Sequence, residues 1–344
     1  MVFQPKNILV IDFGQLGDAV LSLPALRFIR ERFPHAHITV VAGQPADQVI
    51  ELSCYADATI AVDRVALRDG PKLRSTKQIL QLVRDVRKRG FDFVIDLHSL
   101  YETNLLGFLS GAPLRLFGPR PRRSFDFLSN FKPAPPIEDP SKHAVDRYLD
   151  VLTPLGTNGV GRVPVLKTSS EDDRLALQFL KESGVGDHAP LVGMFPGAGH
   201  PTRRWPLSSF VDLAERLARD HGVQNIVFVG PEEESFTDEI HQKFSESTIV
   251  ANLGSISRLS SVLARLDAFV SSSTGPMHMA AAVGTPVVVL YSRLIPDSFT
   301  PVGDRHRIVY SESVANITVD DVYNAIVEVL ENKEPARDPE QKIS

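Results

Sequence analysis

Three segments of the sequence combine small residues, which let a ligand approach the backbone, with a carboxylate, guanidinium groups or a helix start. The first is DFGQLGDAV, Asp12 to Val20, where Gly14 and Gly17 permit a sharp turn and Asp18 stands at the head of a helix. It is not the GxGxxG dinucleotide fingerprint. Asp18 reads in two ways: as a helix N-cap accepting free amide hydrogens, or as a general base at the mouth of a cleft. The second segment is PGAGHPTRRWPLSSF, Pro196 to Phe210. Its small residues admit backbone amides to a ligand, and Arg203 and Arg204 offer charge-assisted, bidentate contacts suited to phosphate. Without a ligand the same arginines form a solvated turn anchored by Trp205. The third, SSSTGPMHMAAAVG from Ser271 to Gly284, leaves a strand and enters a helix, with Ser273 or Thr274 placed to cap and Gly275 and Pro276 in the first turn. Free amides and the positive dipole end there favour a diphosphate, to which Thr274 adds a hydroxyl. His278, one turn on, is either a ligand contact or a structural residue.

Three weaker signals accompany these. In GPEEE, Gly230 to Glu234, acids such as Glu233 can accept hydrogen bonds from ribose hydroxyls, although a helix dipole alone also selects acids at its start. In VIDLHSL, Val94 to Leu100, Asp96 and His98 close a strand and point into the cleft or serve structure. RLFGPRPRRSFDFLSNFK, Arg115 to Lys132, holds five basic residues, one acid and four phenylalanines. Arg120 and Arg123 there suit an anionic or amphipathic acceptor, and brief contact with a lipid headgroup layer, against the alternative of a solvated surface loop. No strict Asp-x-Asp pair and no histidine cluster has metal-ligand spacing, so no obligatory metal is expected.

The elements that must position these groups alternate along the chain. Apolar runs at Asn7 to Asp12, His37 to Ala42, Ala58 to Val62 and Phe91 to Leu97 are separated by helical patterns, among them Lys77 to Lys88. A second series follows at Leu191 to Phe195, Asn225 to Gly230, Thr248 to Leu253, Ala268 to Ser272 and Pro286 to Tyr291. Strands apolar on nearly every residue belong to parallel sheets covered on both faces. Two such series predict two doubly wound α/β domains, residues 1–160 and 161–344, joined through the Gly- and Pro-rich Thr153 to Pro164 and facing across a cleft. Ligands in such sheets sit beyond the carboxyl ends of the strands.

Composition sets the outer limits. The 344 residues include 37 basic and 42 acidic side chains, a net charge of −5 that argues against nucleic acid as partner. The single cysteine, Cys54, excludes an intrachain disulfide and suggests a cytoplasmic protein. No run is long enough for a secretory signal or a membrane span. Residues 1–160 carry 20 basic against 17 acidic side chains and the remainder 17 against 25, so the halves are +3 and −8.

Six ordered segments, from about Ile8 to about Asp304, resemble glycosyltransferase family 9, the ADP-heptose:lipopolysaccharide heptosyltransferases. They are LGDAVLSLPALRFIRERFP, FDFVIDLHSL with SGAP, HAVDRYLDVL, PGAGHPTRRWPLSSF, VGP with acids, and STGPMHMAAAVGTPVVVLY. The resemblance implies a GT-B fold of two Rossmann-like domains, the first for the acceptor and the second for the nucleotide sugar, with the last helix packing back on the first domain. It implies an inverting, metal-independent glycosyltransferase that moves heptose from ADP-heptose to a hydroxyl of a lipopolysaccharide core or related cell-surface glycan. The nucleotide sugar is a co-substrate, and no cofactor is implied. Such an enzyme works in the cytoplasm, peripherally at the inner membrane. On matching positions Asp18 is the general base, and Arg203 and the Thr274–Gly275 turn hold the donor diphosphate; read from their own places in the chain, Arg204 joins the diphosphate contacts, Glu233, Ser273 and His278 neighbour the donor nucleoside or sugar, and Gly17, His98, Arg120 and Arg123 face the acceptor. The heptose rests wholly on the resemblance. Two positions depart from the family: Ser273 stands where an aspartate is common, and Asp12 where a basic residue is common. A GT-B nucleotide-sugar epimerase and a non-catalytic nucleotide- or glycan-binding protein are the alternatives.

Overall fold

The computed structural model describes residues 4–186, 189–230, 234, 236–293 and 297–332. Contacts divide the chain into two units, Met1–Lys167 with Asp297–Phe299, and Thr168–Pro296 with Thr300–Ser344. The first unit thus runs on to Lys167, past the expected boundary at 160, because Arg162 returns to it through paired 2.6 Å contacts with Asp146.

The first unit contains β1 (Asn7–Asp12), α1 (Leu16–Arg32), β2 (His37–Gly43), α2 (Ala46–Ser53), β3 (Ala58–Val62), α3 (Arg64–Asp69), α4 (Lys72–Lys88), β4 (Phe93–Asp96), α5 (Tyr101–Leu109), β5 (Leu114–Phe117) and α6 (Ala144–Val151). Its strands are parallel in the order β3-β2-β1-β4-β5. Ile8, Leu9, Val10 and Ile11 are all fully buried, as a strand covered on both faces requires. The helix expected from Lys77 already begins at Lys72, directly after Pro71.

The second unit holds α7 (Ser170–Glu182), β6 (Leu191–Phe195), α8 (Leu207–His221), β7 (Gln224–Phe228), α9 (Thr237–Lys243), β8 (Ile249–Ala251), α10 (Ile256–Leu263), β9 (Ala268–Ser272), α11 (Gly275–Ala282), β10 (Val287–Ser292), β11 (Arg307–Ser311) and α12 (Val319–Glu331). The strands are again parallel, ordered β11-β10-β9-β6-β7-β8. In the last described helix, Val322, Ile326 and Val329 of α12 enter the second unit's core, where Val288 and Leu290 of β10 match their apolar stripe.

In each sheet the strand order reverses once, between β1 and β4 and between β9 and β6. At such a switch point the connecting segments leave the carboxyl edge in opposite directions and open a crevice. The Asp12–Asp18 turn and the Asp96–His98 loop leave the first of these; the Pro196 and Ser273 loops leave the second.

Candidate functional site

At the first unit's switch point, successive groups of one tight turn are held by side chains. Arg64 donates to the Phe13 carbonyl. The Gly14 N–H donates to Asp12 Oδ1 at 3.0 Å, and the Gln15 N–H donates to Asp18 Oδ2 at 2.8 Å. Gly14 is required by space, because a Cβ on it would collide with the Asp18 side chain and stand 3.0 Å from Asp12 Oδ1. Asp18 is therefore not the N-cap, which is Gln15; it is the third helical residue and accepts the cap residue's amide, as a carboxylate does in the reciprocal half of a capping box. Gly17 lies between them in the first turn of α1.

Asp18 lines a cavity of about 120 Å³ with His98, Arg120, Glu138, Arg147 and Tyr148. Burial, with the charge of Asp12 added, raises the Asp18 pKa above the usual carboxylate range, against the lowering effects of the Gln15 amide, His98 and Arg147. His98 is pushed the other way, down to about 4, by burial and then by the Arg120 charge, so it is neutral at pH 7. Glu138 takes both guanidinium groups, Arg120 Nε at 3.0 Å and Arg147 Nη1 at 3.4 Å. Arg147 also lies over the Phe299 ring, 5.2 Å from its centroid. A carboxylate with raised proton affinity, a neutral imidazole and two fixed cations can accept a hydroxyl proton and hold an anionic or polyhydroxylated ligand.

The structure separates other expected residues from this group. Asp96 is fully buried and turned into its own loop: its Oδ1 accepts from the His98 and Ser99 amides at 3.0 and 2.7 Å, and its Oδ2 accepts from Asn104 at 2.7 Å. It shapes the loop that presents His98. Arg123 is exposed at φ 59° and does not line the cavity. Conversely, Arg64, Glu138, Arg147 and Tyr148 enter the site without having been singled out. Arg147 and Tyr148 lie inside HAVDRYLDVL, where the one available signal was the motif itself, and Arg64 and Glu138 lie in segments with no pattern.

In the second unit, Trp205 fixes the loop after β6: it is buried, its Nε1–H donates to the Ile317 carbonyl at 2.9 Å, and its ring stands edge-on to Phe210 at 4.8 Å. Arg203, two residues earlier, is exposed and makes no ion pair among the described residues, leaving its guanidinium for an anion. Arg204 instead lies over the Phe236 ring at 5.2 Å. After the adjacent strand β9, Thr274 occupies the N-cap of α11 without capping it, its hydroxyl being paired with Ser271 Oγ at 2.9 Å. The Gly275 and Met277 amides consequently receive no side-chain cap, with Ser273 and Gly275 partly exposed beside them. His278, one turn into α11, is 5% exposed. Glu233 lies outside the described residues, and Glu234 is exposed.

Residues 79–323 match the model of glycosyltransferase family 9 (heptosyltransferase). Lipooligosaccharide heptosyltransferase 2 of Haemophilus influenzae is 29% identical over 323 residues, which cover 88% of this chain and 88% of that one. The crystal structure of a family 9 glycosyl transferase from Veillonella parvula superposes with a TM-score of 0.83 at 24% identity, covering 97% of this chain and 99% of that one. Escherichia coli heptosyltransferase WaaC with ADP gives 0.74 at 19% identity, covering 94% and 99%. These likenesses, with the two parallel sheets, show a GT-B fold.

Proposed function

The chain belongs to glycosyltransferase family 9, the heptosyltransferase family, and from that premise we propose that it moves heptose from ADP-heptose to a hydroxyl of a lipopolysaccharide-core glycan, with inversion and without a metal. In this reading Asp18 removes the acceptor hydroxyl proton as the oxygen attacks the anomeric carbon. The bond from that carbon to the β-phosphate oxygen breaks on the opposite face, and ADP leaves with the electron pair. Arg203 and the uncapped amides of α11 receive the charge that develops on the diphosphate. Arg120 and Arg147 orient an anionic acceptor, His98 is a neutral hydrogen-bonding partner, and the protein works at the cytoplasmic face of the inner membrane.

The observation that carries this reading is the half-buried Asp18, tied to the Gln15 amide through one oxygen and lining a cavity that Arg120 and Arg147 line with it. Relatives named heptosyltransferases and a related structure with ADP support the donor. The test begins with calorimetric titration of ADP, UDP, GDP and dTDP, with and without magnesium, on the native protein and Arg203→Ala. We expect selective, metal-independent binding of ADP that weakens about tenfold or more in the variant, the worth of one charge-assisted contact. Asp18→Asn is then expected to lose about a hundredfold or more in transfer rate with ADP affinity unchanged. Preference for another nucleotide overturns the heptose assignment; consumption of donor without any acceptor points to an epimerase.

A further inference from the structure

Helix α5 turns large apolar side chains toward solvent. Its inward side carries Thr103, Asn104, Leu106 and Gly107, whereas its outward stripe is Tyr101, Leu105 and Phe108, spaced by four and three residues. Phe108 is 44% exposed and Phe127, in the adjoining turn, 77%. Large apolar side chains gathered on one solvent-facing surface are the reverse of what a water-facing helix selects.

The patch is preformed. Asn104 Oδ1 accepts from the Phe125 amide at 2.8 Å and from the Ser124 hydroxyl at 2.9 Å, fastening the turn to α5. The Tyr101, Phe125 and Phe127 rings then pack in series at 5.4 and 5.8 Å. The Tyr101 amide donates to the Arg123 carbonyl at 3.1 Å, so the exposed Arg122 and Arg123 stand at its margin, and Arg115 lies over the Phe108 ring at 5.4 Å. Glu102 and Asp126 are the acids of the same segments. Along the chain the patch adjoins cavity-lining residues: Arg120 lies two residues before Arg122, and His98 and Ser99 immediately precede α5.

We propose that this face, the outward stripe of α5 with the Phe125–Phe127 turn and Arg122–Arg123, docks the protein on an anionic lipid bilayer, the aromatic rings entering the headgroup layer and the arginines pairing with lipid phosphates. The proposal rests on the reading of the acceptor as a lipid-anchored glycan and locates the surface that reaches it. Rings alone would suit a protein partner equally; arginines beside an outward aromatic stripe select a negatively charged, fluid apolar layer.

Sedimentation with phosphatidylethanolamine–phosphatidylglycerol vesicles, free of acceptor, tests the docking by itself. The native protein is expected to bind them and not phosphatidylcholine vesicles, Phe108→Ser/Phe127→Ser to lose about tenfold in partitioning, and Arg122→Gln to lose several-fold. Transfer by the double variant is expected to fall about tenfold on acceptor embedded in anionic vesicles and to stay unchanged on deacylated acceptor in solution. Vesicle binding by the double variant equal to that of the native protein, or none by either, overturns the docking surface. Absence of transfer to either acceptor by a native protein that binds vesicles overturns the heptosyl reading and leaves the docking standing.

Discussion

Asp18 can act as a base only while ionised, and its neighbours pull its proton in opposing directions. Burial raises its pKa and so does Asp12, across Gly14, whereas the Gln15 amide, His98 and Arg147 lower it. Asp12→Asn keeps an oxygen for the Gly14 amide but removes the negative charge. Ionisation of Asp18 then becomes easier, and the acid limb of the kcat/KM profile is expected to move to lower pH; a limb that stays in place would show Asp12 to be neutral in the native site. His98 makes a separate prediction at the same scale. Its folded pKa of about 4 lies below the ordinary value of 6.5, so the unfolded chain binds the extra proton first, and the stability it contributes is present above pH 6.5 and lost as pH falls toward 4. Lowering the pH from 7 to 5 should therefore cost the native first unit about 2 kcal/mol more than it costs His98→Gln, measured by urea unfolding at each pH. Asp96, pushed up to about 7 by burial, tends the opposite way, but it is common to both proteins and drops out of the difference.

Every central strand announced itself in the sequence; of the four edge strands, the apolar β3 and β8 did so too, and β5 and β11 did not. The central strands β1, β4, β6 and β9 are unbroken apolar runs, and each was read from its residues. β5 and β11 are edge strands that pair with one neighbour each and leave part of their length exposed, so Arg115 inside β5 and Arg307 opening β11 look like loop residues. The same logic governs the site. Asp18 and Arg203 were legible as candidates because they follow closely on central strands, beside glycine or tryptophan. Glu138 was not, because its role of holding Arg120 and Arg147 depends on a contact from a segment without periodicity. Packing at a central strand can be tested directly. Gly193 of β6 faces Leu266, with Phe269 and Phe228 2.9 and 3.0 Å from where a Cβ would stand. None of these is a flexible chain end in open space, so Gly193→Ala should destabilise the second unit by about 2 kcal/mol. A melting curve unchanged from the native one would mean that the core there has room to give.

At the scale of the whole molecule, charge is divided unequally between sequence halves that the proposed reaction uses differently. Residues 1–160 are at +3 and the remainder at −8, yet it is the acidic half that would take the diphosphate. Net charge there opposes the ligand, so in the proposed reaction donor binding would depend on contacts at short range: Arg203, which makes no ion pair among the described residues, and the α11 amides. Short-range contacts are screened little by salt, and screening the surrounding acidic field removes a repulsion. An anionic acceptor meets the reverse situation, a basic unit whose field extends beyond Arg120 and Arg147 and adds attraction that salt removes. Raising ionic strength from about 20 to about 500 mM shortens the Debye length from roughly 20 Å to below 5 Å. Over that range kcat/KM for a phosphorylated acceptor is expected to fall about tenfold, while kcat/KM for the donor stays within about twofold. A donor dependence as steep as that of the acceptor would place long-range attraction in the second unit, and Arg203 would then be one member of a wider basic surface. A flat acceptor dependence would leave Arg120 and Arg147, both already paired with Glu138, as positioning groups with no part in capture.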